Sequence, residues 1–276
     1  MTIPNTIPNT TPNTVQDTVQ DTTRHVDINA DSGESFGRWR LGRDEELFPK
    51  LTSANLACGF HAGDPLTMQR TVRLAKEHGV KVGAHPGFPD LAGFGRRDMA
   101  VAPEALHADV IYQIGALRAF LYLEGLELHH VKAHGALYLK MTRDRETALA
   151  VAEAVRAYDP GLPLVILGGP GGGVMAAAAR EAGLRAVQEA FPDRAYLADG
   201  RLAPRSMAGA VIREPAVVAA RSARMVTQGR VEALDGGVAE VAAQTLCLHG
   251  DNPEAPEIAR AVREALREAG VGVQAF

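Results

Sequence analysis

Cysteine is almost missing from this chain: Cys58 and Cys247 are its two thiols in 276 residues. Two thiols in unlike contexts make no disulfide framework, so the composition points to a reducing compartment. Long apolar runs are missing too. No segment approaches the roughly 20 apolar residues that span a bilayer, and no basic patch followed by an apolar stretch opens the chain. The expectation is a cytoplasmic protein with no membrane partner. Basic clusters are equally absent. The formal net charge is −4, from 29 Lys and Arg against 33 Asp and Glu, which speaks against a nucleic-acid partner. Compact catalytic signatures are lacking as well: there is no HExxH, no G-x-S-x-G elbow and no P-loop Lys-Ser/Thr pair. Any chemistry must therefore be assembled from separate segments that the fold brings together.

What is present starts with a repeat. IPNT, IPNT, TPNT, VQDT and VQDT follow one another from Ile3 to Thr22. This stretch is poor in large apolar residues and cannot offset the entropy of ordering, so residues 1–24 are expected to be a disordered tail. Residues 25–276 are expected to form one domain. Hydrophobic residues make up 46% of the chain, enough for a sizeable core.

That domain is organised around Val26-Asp27-Ile28-Asn29-Ala30-Asp31-Ser32-Gly33-Glu34. Apolar and polar residues alternate with period two, which predicts a strand with Val26, Ile28 and Ala30 on one face and Asp27, Asn29 and Asp31 on the other. Further strands are predicted over 53–58, 80–85, 128–134, 163–168, 184–191 and 246–249. Helices are predicted near 44–51 and over 66–78, 103–124, 145–158, 174–182, 214–228, 236–245 and 257–268. Asp64 and Pro65 suit the start of the second helix and Gly79 its end. About seven β-then-α units in a chain of this length predict a closed or nearly closed parallel barrel, with an open doubly wound sheet as the structural rival.

In a barrel, residues of one parity point inward and the site lies where the strands end. The first strand offers Asp27, Asn29 and Asp31. The second offers Asn55, with His61 just beyond it, and the third offers His85. His130, Lys132 and His134 share one parity on the fourth. The sixth offers Glu189, with Asp193 and Arg194 in its loop, and the seventh offers His249 and Asp251. A single such residue is ordinarily a core hydrogen-bonder, a cap or a turn former; six strands repeating the pattern would crowd charge into one space. Asp and His supply general acid and base, and Lys132 and Arg194 can hold an anionic group. Asp27, Asp31, His61 and His85 can alternatively bind a divalent metal, a choice the residues leave open. Cys58, with the parity of Leu56, is expected to face away from Asn55. The glycine run 168–173 fits either a phosphate at the following helix or a tight turn without ligand.

Taken together, six stretches carry a resemblance: DINADSGESFG from Asp27, ANLACGFHAGDP from Ala54, VGAHPGFPDLAGFGRR from Val82, VKAHGALY from Val131, EAFPDRAY from Glu189 and CLHGD from Cys247. The chain resembles the LamB/YcsF family, which corresponds to the A component of the bacterial ATP-dependent 5-oxoprolinase. The resemblance spans nearly everything after residue 25 and excludes the repeat tail. It implies a seven-stranded (β/α) barrel of the glycoside hydrolase/deacetylase type. It also implies opening of 5-oxo-L-proline to L-glutamate coupled to hydrolysis of ATP, which brings Mg, in a complex with the B and C subunits. On this reading Asp27, Asp31, His61, Lys132, His134 and Glu189 are the candidate catalytic residues. Asn29, Asn55, His85, Arg194 and Asp251 are the candidate substrate-binding residues. A stand-alone metal-dependent amide or carbohydrate deacetylase is the alternative enzyme, and a carrier of small anions the non-catalytic alternative.

Overall fold

A computed structural model of the chain describes residues 24–276. The expected tail lies outside the described residues except for Arg24, whose guanidinium donates to the carbonyls of Val226 and Thr227. In chain order the strands are β1 (His25–Ser32), β2 (Ser53–Ala57), β3 (Lys81–His85), β4 (Leu128–Val131), β5 (Leu164–Leu167), β6 (Ala186–Ala190), β7 (Arg230–Glu232), β8 (Val238–Glu240), β9 (Thr245–Leu248) and β10 (Gly272–Val273). The helices are α1 (Asp44–Leu47), α2 (Pro65–His78), α3 (Pro103–Glu124), α4 (Gly135–Met141), α5 (Arg145–Tyr158), α6 (Gly173–Glu181), α7 (Pro215–Gln228) and α8 (Ala255–Glu268).

The barrel strands run in the order β1-β2-β3-β4-β5-β6-β9, each parallel to its neighbours, and β9 pairs back onto β1. That last pairing closes a seven-stranded barrel and excludes the open sheet. β10 adds beside the start of β1, with His25 opposite Gly272. Val26, Ile28 and Ala30 are buried in the layer between barrel and helices. Helices α2, α3 and α5 contribute Val72, Leu117 and Val151 to the same core. Asp64 caps α2 by accepting from the amides of Leu66 and Thr67, Pro65 opens it, and Gly79 closes it in the left-handed conformation at φ 66°.

Two expected elements are corrected. The stretch 236–245 is not helical. β7 and β8 form an antiparallel hairpin, and Thr245 already belongs to β9. The reason is local: Gly236 and Gly237 both have positive φ, and Val231 and Ala239 are the buried members of alternating triplets. The second correction concerns the last helix, which starts at Ala255 rather than Glu257 and has no side-chain cap. Helix α4 lies where the sequence carries no separate helix signal. The short helix expected near 44–51 is α1 followed by a 3₁₀ turn over Phe48–Lys50.

The glycine run resolves as a tight turn. A Cβ at Gly172 would lie 1.7 Å from the Leu167 carbonyl oxygen, and one at Gly171 2.2 Å from that of Gly200. These glycines are packed against neighbouring backbone rather than lining an open phosphate cradle.

Candidate active site

The inner face of β1 sets three levels of buried polar side chains. The lowest, at the amino ends of the strands, is built on Asp27. The hydroxyls of Thr52 (2.5 Å), Ser53 (2.7 Å) and Thr245 donate to its carboxylate. Burial pushes the Asp27 pKa up to about 6, against the lowering effect of those three donors. The structure therefore places Asp27 apart from the strand ends where the other candidates collect.

The middle level is an amide network. Asn29 Nδ2 donates to Glu189 Oε1 at 3.0 Å. Asn55 Nδ2 donates to Asn29 Oδ1 at 2.7 Å and Asp31 Oδ1 at 3.0 Å, while His130 Nε2 meets Asn55 Oδ1 at 2.7 Å. Every one of these residues is buried, and each amide is fixed by partners on both sides.

Above it lies Lys132. Hydrogen bonding in the β4 ladder ends at Val131, yet the amides of Lys132 and His134 still bond the carbonyls of Ala84 and Pro86. The extended alternation therefore continues past the strand, which turns Lys132 and His134 inward. The Lys132 ammonium sits 2.9 Å from Asp31 Oδ1, 2.9 Å from Glu189 Oε1 and 2.9 Å from Cys247 Sγ. Burial works against its charge, but the neighbouring Asp31 carboxylate, foremost among its partners, outweighs burial and holds its pKa well above the usual lysine value. The Asp31 carboxyl would be raised by burial, yet His85 and Lys132 keep it well below the usual range. Glu189 goes the other way: burial raises it despite Lys132. The Cys247 thiol is likewise raised by burial, so it is a hydrogen-bonding thiol here rather than a nucleophile. Cys58 is buried, its pKa is pushed up to about 12, and its sulfur contacts the Leu56 carbonyl.

At the rim, three imidazoles and a carboxylate converge. Glu34, His61, His85 and His134 each offer one donor atom, and these atoms lie within 4.8 Å of one another. His61 and His134 stack in parallel with centroids 3.7 Å apart, and His85 meets both edge-on. Burial, then the neighbouring imidazoles, lowers His61 well below the usual value and His134 to about 3, so both are neutral at pH 7. Burial and the Asp31 charge raise Glu34 well above the usual carboxylate range. Such a group of N and O donors can hold a metal ion.

The remaining candidates lie elsewhere around the rim. The Arg194 guanidinium donates to the carbonyls of Ala203 (2.7 Å) and Ala210 (3.2 Å), fastening the loop after β6. Asp251 pairs with Arg96 at 2.6 Å, and Asp193 bonds His249 Nδ1 at 2.7 Å. Glu34 and Cys247 join the site without having been singled out by the sequence pattern. Cys247 was readable, since it shares parity with Thr245 and His249. Glu34 was not, because Gly33 takes φ +68° and breaks the alternation just before it.

Comparison with known proteins gives a consistent result. Residues 26–276 match the LamB/YcsF family. The chain is 66% identical over 251 residues to the 5-oxoprolinase A subunit of Thermus thermophilus, covering 91% of this chain and 99% of that protein. It is 53% identical to the Deinococcus radiodurans protein of the same name, covering 89% and 95%. A crystal structure of the lactam utilization protein from Thermus thermophilus superposes with a TM-score of 0.86 at 65% identity, covering 91% of this chain and 100% of that one.

Proposed function

The chain belongs to the LamB/YcsF family, and from that premise we propose that it opens 5-oxo-L-proline to L-glutamate as the A component of an ATP-dependent 5-oxoprolinase. Its partners on this reading are the B and C subunits, its nucleotide is ATP with Mg, and its compartment is the cytoplasm. Both cysteines are free and buried, in keeping with a reducing compartment.

The observation that carries the reading is Lys132, a buried cation held where the strands end between a carboxyl kept low, Asp31, and a carboxyl pushed up, Glu189. A lactam is a stable amide. Phosphorylating its oxygen with ATP releases ADP and makes the carbon a better electrophile; one water adds, the nitrogen takes a proton as the C–N bond breaks to leave an acyl phosphate, and a second water hydrolyses that to glutamate and phosphate. Lys132 is the group suited to an anionic substrate or to charge developing on oxygen. Asp31, held ionised, is a poor base and serves to orient Lys132. Glu189, whose burial favours the protonated form, is the group suited to give the nitrogen its proton. His61 and His134, neutral at pH 7, cannot give protons efficiently and belong to the side where water is activated.

The test combines this chain with its B and C subunits and follows glutamate from 5-oxoproline, with and without ATP. Glutamate is expected only when all three chains and ATP are present. ATP turnover by the complete set without glutamate would overturn the reading. Deacetylation by the isolated chain without ATP would favour the metal-dependent deacetylase, and ATP-independent ligand binding without product would favour a carrier.

A further inference from the structure

We propose that Glu34, His61, His85 and His134 form a binding site for one divalent transition-metal ion of the zinc class. The neighbours of each ring fix where its protons must be. His85 Nδ1 lies 2.8 Å from the Lys132 carbonyl oxygen, and His134 Nε2 lies 2.9 Å from that of Phe94. A carbonyl oxygen only accepts, so both of these nitrogens carry hydrogen. That assignment leaves His85 Nε2 and His134 Nδ1 facing each other at 3.0 Å, each with its lone pair directed inward. Two lone pairs at that separation need a cation between them. It is either a third proton shared by two rings or a metal ion.

The surroundings decide between the two. Glu34 Oε1 sits 3.5 Å from His134 Nδ1 and 3.4 Å from His61 Nε2. Neither Glu34 Oε1 nor either ring nitrogen of His61 finds a hydrogen-bond partner among the described residues, although both side chains are buried. A proton between His85 and His134 satisfies neither of them; one ion satisfies all four donors together. The spacing agrees. Ligands about 2.05 Å from a tetrahedral zinc ion stand roughly 3.3–3.4 Å apart; three pairs of the set stand at 3.0, 3.4 and 3.5 Å, and all four atoms lie within 4.8 Å of one another. The carbonyl anchors on the far nitrogens of His85 and His134 are also how metal-ligating histidines are commonly oriented.

Three nitrogens and one carboxylate oxygen favour zinc and its neighbours over magnesium or calcium. Asp31 Oδ1, 3.3 Å from His85 Nε2, adds negative charge beside the site but is already bonded to Lys132. The parallel stack of His61 on His134 cannot persist once both rings direct lone pairs at one ion, so loading tilts His61 off that stack. This site is independent of the 5-oxoprolinase reading, because metal binding is measured without substrate, ATP or partners.

The experiment strips the full-length chain with a chelator, titrates it with Zn2+ and, separately, Co2+, and counts bound metal by elemental analysis after gel filtration. One equivalent per chain is expected, with tetrahedral-type visible absorption from Co2+ and a higher thermal midpoint. Glu34→Gln and His134→Asn should each weaken zinc binding more than tenfold, while His78→Ala, on the exposed end of α2, should leave it unchanged. If a variant does not fold by circular dichroism, the Co2+ spectrum of the wild-type chain decides the matter. A folded, metal-free wild-type chain that binds neither ion at one equivalent would overturn the site. So would binding that the folded Glu34→Gln and His134→Asn variants retain in full.

Discussion

At the scale of single residues, the buried charges at the two ends of the barrel respond to different measurements. Lys132 is surrounded by groups that were desolvated together with it, so removing it leaves Asp31 buried and uncompensated. Lys132→Ala should cost about 3–5 kcal/mol in urea unfolding, the range for breaking a buried pair from one side. Turnover with the partner subunits should also fall about a hundredfold or more. Asp27 answers to pH instead. Its folded pKa of about 6 lies above the ordinary 3.8, so protonated Asp27 contributes stability that is fully present below pH 3.8. That contribution, about 3 kcal/mol, is lost as pH rises through about 6. Thermal unfolding of wild type and Asp27→Asn from pH 4 to 7 should show the wild type losing ground to the variant as pH rises. Parallel curves would contradict this account of Asp27. The inward aim of Asp27, Asn29 and Asp31 was legible because a strand alternates strictly. Glu34 was hidden because a left-handed glycine ended the alternation one residue before it.

At the scale of elements, the strands and the long helices were readable from period and caps, and the exceptions have physical causes. The β7–β8 hairpin consists of two three-residue strands, too short for periodicity to separate from a helix. Helix α4 follows so closely on the extended segment 132–134 that its own signal merged with it. The glycine run after β5 was ambiguous because glycine serves both a close ligand and a close backbone; packing distances resolved it. Gly172→Ala would place a methyl against the Leu167 carbonyl and should destabilise the chain by about 1–3 kcal/mol or more. Gly173→Ala, one residue on and with no neighbour within 4 Å, should be neutral or stabilising by up to about 1 kcal/mol. Chemical denaturation of the pair checks both signs, and equal effects would contradict the packing argument.

At the scale of the molecule, barrel closure is what turns scattered residues into neighbours. The β1–β9 pairing sets Asn29 opposite Cys247, its partner from the far end of the chain, and the β6–β9 pairing sets Glu189 opposite Thr245, from where its Oε1 accepts from Asn29 Nδ2 at 3.0 Å. The count of β/α units made a barrel readable from the sequence. Which donors would meet at the rim was not, since that depends on strand register and on loops that no periodicity describes. On the proposed function, ring opening takes place at the Lys132–Asp31–Glu189 group. Glu189→Gln tests this, because it keeps the side chain's shape and an acceptor oxygen but can neither give nor take a proton. Assayed for ATP-dependent glutamate release with the B and C subunits, the folded variant should be slower by about a hundredfold or more. A folded Glu189→Gln variant releasing glutamate at the wild-type rate would place ring opening elsewhere.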